Sequence, residues 1–211
     1  MGGVPGTEPA KVLVIGGGVV GQNAAYIARG MGANVTIADR SIPRLRELDV
    51  EFSGSVNCIY STQEALEKYS AAADLVIGAV LVPGASTPKL VTRKMISSMK
   101  AGSVVVDVAI DQGGCFETSK ATTHEDPTFA VDDVVHYCVA NMPGAVPLTS
   151  TYALNNATLP FTLAIANQGW QKAMRDDAHL LNGLNVHQGH LTYRQVAIAQ
   201  GIEYTDPSTL I

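Results

Sequence analysis

The chain has 211 residues, 46% hydrophobic and 16% charged, with a formal net charge of -5; this is long enough for one sizeable core, or one domain with a smaller appendage, and excludes a disordered chain. The acidic balance gives no electrostatic reason to expect nucleic acid or an anionic membrane as partner, and no apolar run approaches the ~20 residues that span a bilayer. Met1–Gly6 lacks the basic-then-apolar pattern of a secretory signal, and Cys58, Cys115 and Cys138 are too few and too scattered for a disulfide framework or a Cys-rich metal site, so a cytoplasmic protein is expected.

From Lys11 onward, apolar runs alternate with helical patterns. Lys11–Ile15 reads as a strand covered on both faces, because its apolar residues run without polar interruption. Gly16–Gly21 is a turn, and Val20–Met31 a helix with an apolar stripe from Ala24 to Met31 and a stop at Gly32. Asn34–Ala38 is a second strand, and Ser41 caps a helix through Leu48, with Pro43 tolerated in its first turn. Ser55–Tyr60, Asp74–Ala79, Ser103–Ala109 and Val134–Val139 read as further strands, Thr62–Ser70 and Thr92–Met99 as helices, and Val82-Pro83-Gly84 as loop. The order predicts an α/β fold, a doubly wound parallel sheet of Rossmann type with six strands in the order 3-2-1-4-5-6. After Asn141-Met142-Pro143-Gly144 the texture turns helical: Thr151–Gln168, interrupted or kinked at Pro160, then Gln171–Leu181 and Thr192–Gln200. Residues 1–149 are therefore expected to form a dinucleotide-binding domain, and residues 150–211 a helical appendage whose apolar face needs a partner.

Gly16-Gly17-Gly18-Val19-Val20-Gly21 fits G-x-G-x-x-G between a strand and a helix. Gly16 permits the tight turn, Gly18 keeps side-chain atoms away from a pyrophosphate, and Gly21 allows close packing of helix on strand. The amides around Val19 and Val20 then face the phosphates at the positive end of the helix. Asp39 ends the next strand at the spacing of the acid that accepts from the adenosine ribose hydroxyls and repels a 2′-phosphate, so NAD is expected over NADP. Arg40 beside it is the one residue that argues the other way.

Asp107-Val108-Ala109-Ile110-Asp111-Gln112-Gly113-Gly114-Cys115-Phe116-Glu117, with the stretch Ala79–Ala85 and Asn141-Met142-Pro143, resembles alanine dehydrogenase over nearly the whole chain. The resemblance implies NAD-dependent oxidative deamination of L-alanine to pyruvate and ammonium, in a homo-oligomer. It implies that Asp111 is the active-site aspartate near the nicotinamide and the substrate nitrogen. Val80, Leu81 and Val108 would line the cofactor channel, and Val139, Asn141 and Met142 the nicotinamide end. Arg44 would meet the adenosine side and Ser61 the adenine. It also implies that the substrate-gripping Arg and Lys and the catalytic His of the family lie in an N-terminal domain largely absent here, so that turnover by this chain alone is not expected. On the residues alone, Asp111 stands at the carboxyl end of a strand, where such sheets bind ligands, and a turn-capping role for it remains open.

No metal is expected. His187-Gln188-Gly189-His190 has ligand-like spacing, with no Cys or carboxylate cluster nearby to complete a site. Cys115 beside Phe116 reads as a small apolar filler or a reactive thiol. Two alternatives stay open beside the dehydrogenase: a module that binds NAD(H) without chemistry, and a transhydrogenase-related cofactor domain. Ile110-Asp111-Gln112 favours the dehydrogenase.

Overall fold

The protein's structure, a computed structural model, describes residues 1–82, 84 and 86–211. Of the predicted loop Val82-Pro83-Gly84, Pro83 lies outside the described residues, as does Ala85. The chain divides into two compact units, Met1–Val82 with Ser86–Met142, and Pro143–Ile211, to which Gly84 also belongs.

The first unit is built on β1 (Lys11–Ile15), β2 (Asn34–Asp39), β3 (Asn57–Tyr60), β4 (Leu75–Gly78), β5 (Val104–Asp107), β6 (Thr128–Val131) and β7 (Val134–Tyr137). They form one sheet in the order β3-β2-β1-β4-β5-β7-β6, parallel except for β6. Helices α1 (Val19–Gly30), α2 (Ile42–Phe52), α3 (Gln63–Ala72) and α4 (Arg93–Ser97) cover it. Period-two side chains divide β1 between two cores. Val12 and Val14 pack with Ala25 and Ala28 of α1 and Leu48 and Phe52 of α2. Leu13 and Ile15 pack with Leu66 of α3 and Met95 and Ile96 of α4. Two buried faces explain the uninterrupted apolar run of β1. Strand order reverses between β1 and β4, so a crevice opens there at the carboxyl ends of the strands.

Helix starts follow local chemistry. The side chains of Ser41, Thr62 and Thr92 accept from backbone amides in the first turns of α2, α3 and α4. The expected strand count needs correction. Among the described residues this sheet has seven strands, and the segment expected as the sixth is β7, because Thr128–Val131 adds an antiparallel edge strand to it. The turn between them is Asp132-Asp133, both residues at positive φ (52° and 62°), the two-residue geometry that suits the twist of a hairpin.

His136 on β7 is fully buried and stacks on Phe129 of β6, with ring centroids 4.9 Å apart. Its Nδ1 lies 2.9 Å from the Val134 carbonyl, which can only accept, so Nδ1 carries the proton and Nε2 accepts from the Thr118 hydroxyl at 2.7 Å. Burial holds its pKa below the ordinary 6.5. The unfolded chain then takes up a proton near pH 6.5 that the folded chain refuses. This contribution is fully present above that pH and is lost as pH falls toward the lowered folded value. Each pH unit in that window costs up to about 1.4 kcal/mol from this one group. Urea unfolding from about pH 7 to pH 5 should show this slope, and His136→Asn should flatten it. Equal slopes in the two proteins would assign the acid lability to other groups.

The second unit comprises α5 (Pro147–Gln168), α6 (Trp170–Asp176), α7 (Ala178–Leu181), a hairpin of β8 (Val186–His187) and β9 (His190–Leu191), and α8 (Arg194–Gln200). The domain break expected between residues 149 and 150 falls inside α5. This helix continues through Pro160, and none of its residues is buried. Leu148, Tyr152, Leu154, Phe161 and Leu163 are among its exposed apolar side chains. The helix expected over Gln171–Leu181 is two helices, because the Asp177 side chain accepts from the His179 and Leu180 amides and starts α7. His187 and His190 pair across a two-residue turn, Gln188 (φ 49°) and Gly189 (φ 83°). Their spacing is thus that of a hairpin. Among the described residues no group of His, Cys, Asp and Glu could hold a metal, and no helix is long and apolar enough to cross a membrane.

Candidate functional site

The turn between β1 and α1 is shaped by three glycines for three reasons. Gly16 has φ +101°, and a Cβ there would meet the Ala79 carbonyl oxygen at 2.9 Å, so both conformation and space exclude a side chain. At Gly21 a Cβ would collide with the Gly16 carbonyl oxygen and press on Val14, which brings α1 hard against β1. Gly18 differs from both. Its backbone is extended (φ -66°, ψ -170°) and a Cβ would meet nothing within 4 Å. Neither conformation nor neighbours inside the protein require glycine there. It is also the N-cap of α1 and supplies no side-chain cap, and no acidic residue sits in the first turn. The first amides of α1 are therefore left for an external acceptor at the positive end of the helix.

Asp39 ends β2 beside this turn. Its carboxylate accepts from the Gly17 amide at 2.7 Å and from the Ser41 amide at 2.7 Å. Both oxygens are fixed, yet each keeps a lone pair for a further donor. Gly17, a variable position of the motif, was missed by sequence reasoning. A Cβ there would press on Leu48 at 2.7 Å and on Asp39 at 3.2 Å, a clash that only the fold reveals. Arg44 of α2 braces the same turn, its Nε donating to the Gly17 carbonyl at 2.7 Å and its guanidinium also bonding Gln22 and Glu47.

Gly16, Gly18, Val19, Val20, Asp39, Ala79, Val80 and Leu81 line a cleft of about 450 Å³. A second cavity of about 230 Å³ shares Gly16, Asp39 and Val80 with it and adds Ser61, Arg40 and Val82. Both lie at the switch point of the sheet. Uncapped helix amides, a carboxylate fixed by two amides and an apolar wall thus converge there, and a Cβ-free face at Gly18 leaves room for a pyrophosphate. These residues fit a dinucleotide.

The remaining expected residues stand outside these two cavities. Val108 follows β5, its amide bonded to the Gly78 carbonyl at 2.9 Å. Val139 is fully buried after β7 and bridges to Thr122. Asn141 has a left-handed backbone (φ 56°), and its carbonyl pairs with His124 Nε2 at 3.0 Å. Met142 closes the first unit. Asp111 is exposed on a 3-10 turn, Ile110–Gln112, just beyond β5. The Gly113 and Gly114 amides are taken by the carbonyls of Ile110 (2.9 Å) and Ala109 (3.0 Å), so the turn is closed by its own backbone without the Asp111 carboxylate. Burial and then the neighbouring Asp107 push the Cys115 thiol well above its ordinary range, which makes Cys115 an inert filler.

Residues 1–194 match the family described as alanine dehydrogenase/PNT, C-terminal domain. The chain is 65% identical over 209 residues to an alanine dehydrogenase of Halomonas elongata, covering 99% of this chain and 56% of that protein. A solved L-alanine dehydrogenase superposes with a TM-score of 0.86 at 50% identity, covering 95% of this chain and 55% of the other. A transhydrogenase from Sinorhizobium meliloti superposes with a TM-score of 0.66 at 34% identity, covering 77% and 47%. The chain spans about half the length of the curated relatives it matches.

Proposed function

The chain belongs to the alanine dehydrogenase/PNT C-terminal domain family, and from that membership we propose that it is the NAD(H)-holding portion of an alanine dehydrogenase. In the proposed reaction L-alanine, NAD and water give pyruvate, ammonium, NADH and a proton. The observation that carries the reading is the meeting of the uncapped α1 N-terminus, bare Gly18 and the Asp39 carboxylate in one cleft. Its higher identity to alanine dehydrogenases than to the transhydrogenase favours the dehydrogenase over the transhydrogenase reading.

NAD held there would supply the hydride acceptor, at its nicotinamide ring. The rest is the work of the chain's own residues. Amides at Val19, Val20 and Gly21 bind the pyrophosphate across the face of Gly18. Asp39 accepts from the adenosine ribose hydroxyls, Ser61 meets the adenine side, and Arg44 stiffens the glycine turn through the Gly17 carbonyl. Val80, Leu81 and Val108 exclude water along the channel, with Val139, Asn141 and Met142 at its nicotinamide end. Asp111 holds a negative charge near the substrate nitrogen, where positive charge grows as hydride leaves. Groups that grip the alanine carboxylate come from outside this chain. We place the protein in the cytoplasm as part of a homo-oligomer, a setting in which free Cys58, Cys115 and Cys138 stay reduced.

Asp39 decides between the two nicotinamide dinucleotides, since a 2′-phosphate would face a carboxylate already fixed by two amides. The chain should bind NADH at least about tenfold more tightly than NADPH. Parallel titrations of nicotinamide fluorescence measure this. Equal affinities, or tighter NADPH, would make Arg40 the governing residue and contradict the role given to Asp39.

A further inference from the structure

The turn that carries Asp111 is gripped on its two polar sides by opposite charges. On the amide side, Asp107 at the end of β5 is fully buried. Its carboxylate accepts from the amides of Ala109 (3.2 Å), Cys115 (2.9 Å) and Phe116 (3.4 Å) and from the Ser119 hydroxyl (2.5 Å). Gly114 has no room for a Cβ, which would collide with this carboxylate. On the carbonyl side, the Lys89 ammonium donates to the oxygens of Gly113 (2.5 Å), Gly114 (3.0 Å) and Phe116 (3.1 Å). An ammonium has three N–H groups, so this one segment fills the whole capacity of Lys89.

Lys89 comes from the segment that follows β4, and backbone bonds extend its grip. The Thr87 amide donates to the Gln112 carbonyl at 3.0 Å, and the Leu90 amide to the Cys115 carbonyl at 2.8 Å. The held segment is intrinsically pliant. Gly113 and Gly114 stand at φ +90° and +76°, and glycine visits many other conformations at little cost. Three converging carbonyls also repel one another unless a cation sits among them. We propose that Lys89 is a positioning residue for Asp111: with Asp107 as the opposing anchor, it fixes the Ile110–Gln112 turn, so that the Asp111 carboxylate keeps one place beside the nicotinamide end. The inference rests on the role proposed above for Asp111.

Lys89→Met keeps the aliphatic stem and removes the ammonium. In the chain itself, amide hydrogen exchange at Gly113–Phe116 should quicken about tenfold while NADH affinity stays within about twofold, because the glycine turn at β1 is untouched. For turnover, the chain is fused to the part of the Halomonas elongata relative that lies outside the aligned stretch. There Lys89→Met should lower kcat for alanine about tenfold with the KM for NAD within about twofold, and should add nothing to the loss caused by Asp111→Asn. An undiminished tenfold loss in the Asp111→Asn background, or slow exchange retained in Lys89→Met, overturns the inference. So does an intact kcat in Lys89→Met where Asp111→Asn is damaging, a result that leaves the role of Asp111 standing. Unchanged turnover in Asp111→Asn alone is a separate result, which removes the role of Asp111 and this inference with it.

Discussion

Gly18→Val should weaken NADH binding at least about a hundredfold and leave the fold standing, whereas Gly21→Val should abolish the fold. The first loss corresponds to about 3 kcal/mol, the worth of one or two charge-assisted hydrogen bonds from helix amides to a pyrophosphate. The Cβ of a valine at position 18 meets no protein atom within 4 Å, and the residue inherits an extended backbone that it adopts readily. Its branched side chain fills the space through which phosphate oxygens reach the amides. As a poorer N-cap it costs about 1 kcal/mol, a drop of a few degrees in melting temperature. Position 21 has the opposite constraint. A side chain there collides with the Gly16 carbonyl, and prying α1 from β1 breaks the core of Val14, Ala25 and Ala28. That cost exceeds about 4 kcal/mol, a large share of the stability of an ordinary domain. Circular dichroism melts beside NADH titrations read both. Normal NADH binding by Gly18→Val would move the cofactor elsewhere, and a normal melt for Gly21→Val would deny the close packing of α1 on β1.

Asp111→Asn should lower kcat for alanine by roughly a hundredfold to a thousandfold in the fused protein, the usual range for removing one group aimed at developing charge. Asparagine keeps the shape and loses the negative charge. Because the turn is closed by the carbonyls of Ala109 and Ile110, the substitution should leave the melt unchanged and NADH affinity within about twofold. A loss of stability in step with activity would instead make Asp111 a structural turn residue.

What was legible in the sequence is what local chemistry decides. The run from Lys11 to Ile15, the glycine turn and the cap at Ser41 each depend on neighbours within a few positions, and the structure has them as read, while the helices expected to open at Thr62 and Thr92 turn out to be capped by those side chains. The edge strand Thr128–Val131 was not read. It has only one covered neighbour, so its alternation is weak, and its turn uses Asp132-Asp133 without the glycine that usually marks a hairpin. Of the site residues, Gly16, Gly18, Val19, Val20 and Asp39 converge in one cleft, because a fixed spacing along β1, α1 and β2 places them there. Asp107 and Lys89 escaped notice for a different reason. Lys89 acts on carbonyls of a segment remote in sequence and Asp107 on backbone amides close by, and no pattern of residue types records a backbone amide or carbonyl. A carboxylate ending a Val-Val-Val strand was the one available hint of the first, and nothing signalled the second.

The most direct test of the proposed role is the rate of NADH formation from NAD and L-alanine, measured for this chain alone and for the chain fused to the remaining part of the Halomonas elongata relative. The chain alone should bind NADH yet form none above background, since hydride transfer needs alanine held in near contact with the nicotinamide by groups that the proposed function assigns to another part of the enzyme. The fused protein should turn over alanine with NAD and not with NADP. Robust turnover by the chain alone would contradict the account by revealing a substrate clamp within it, and a fused protein that folds and binds NADH without oxidising alanine would contradict it equally.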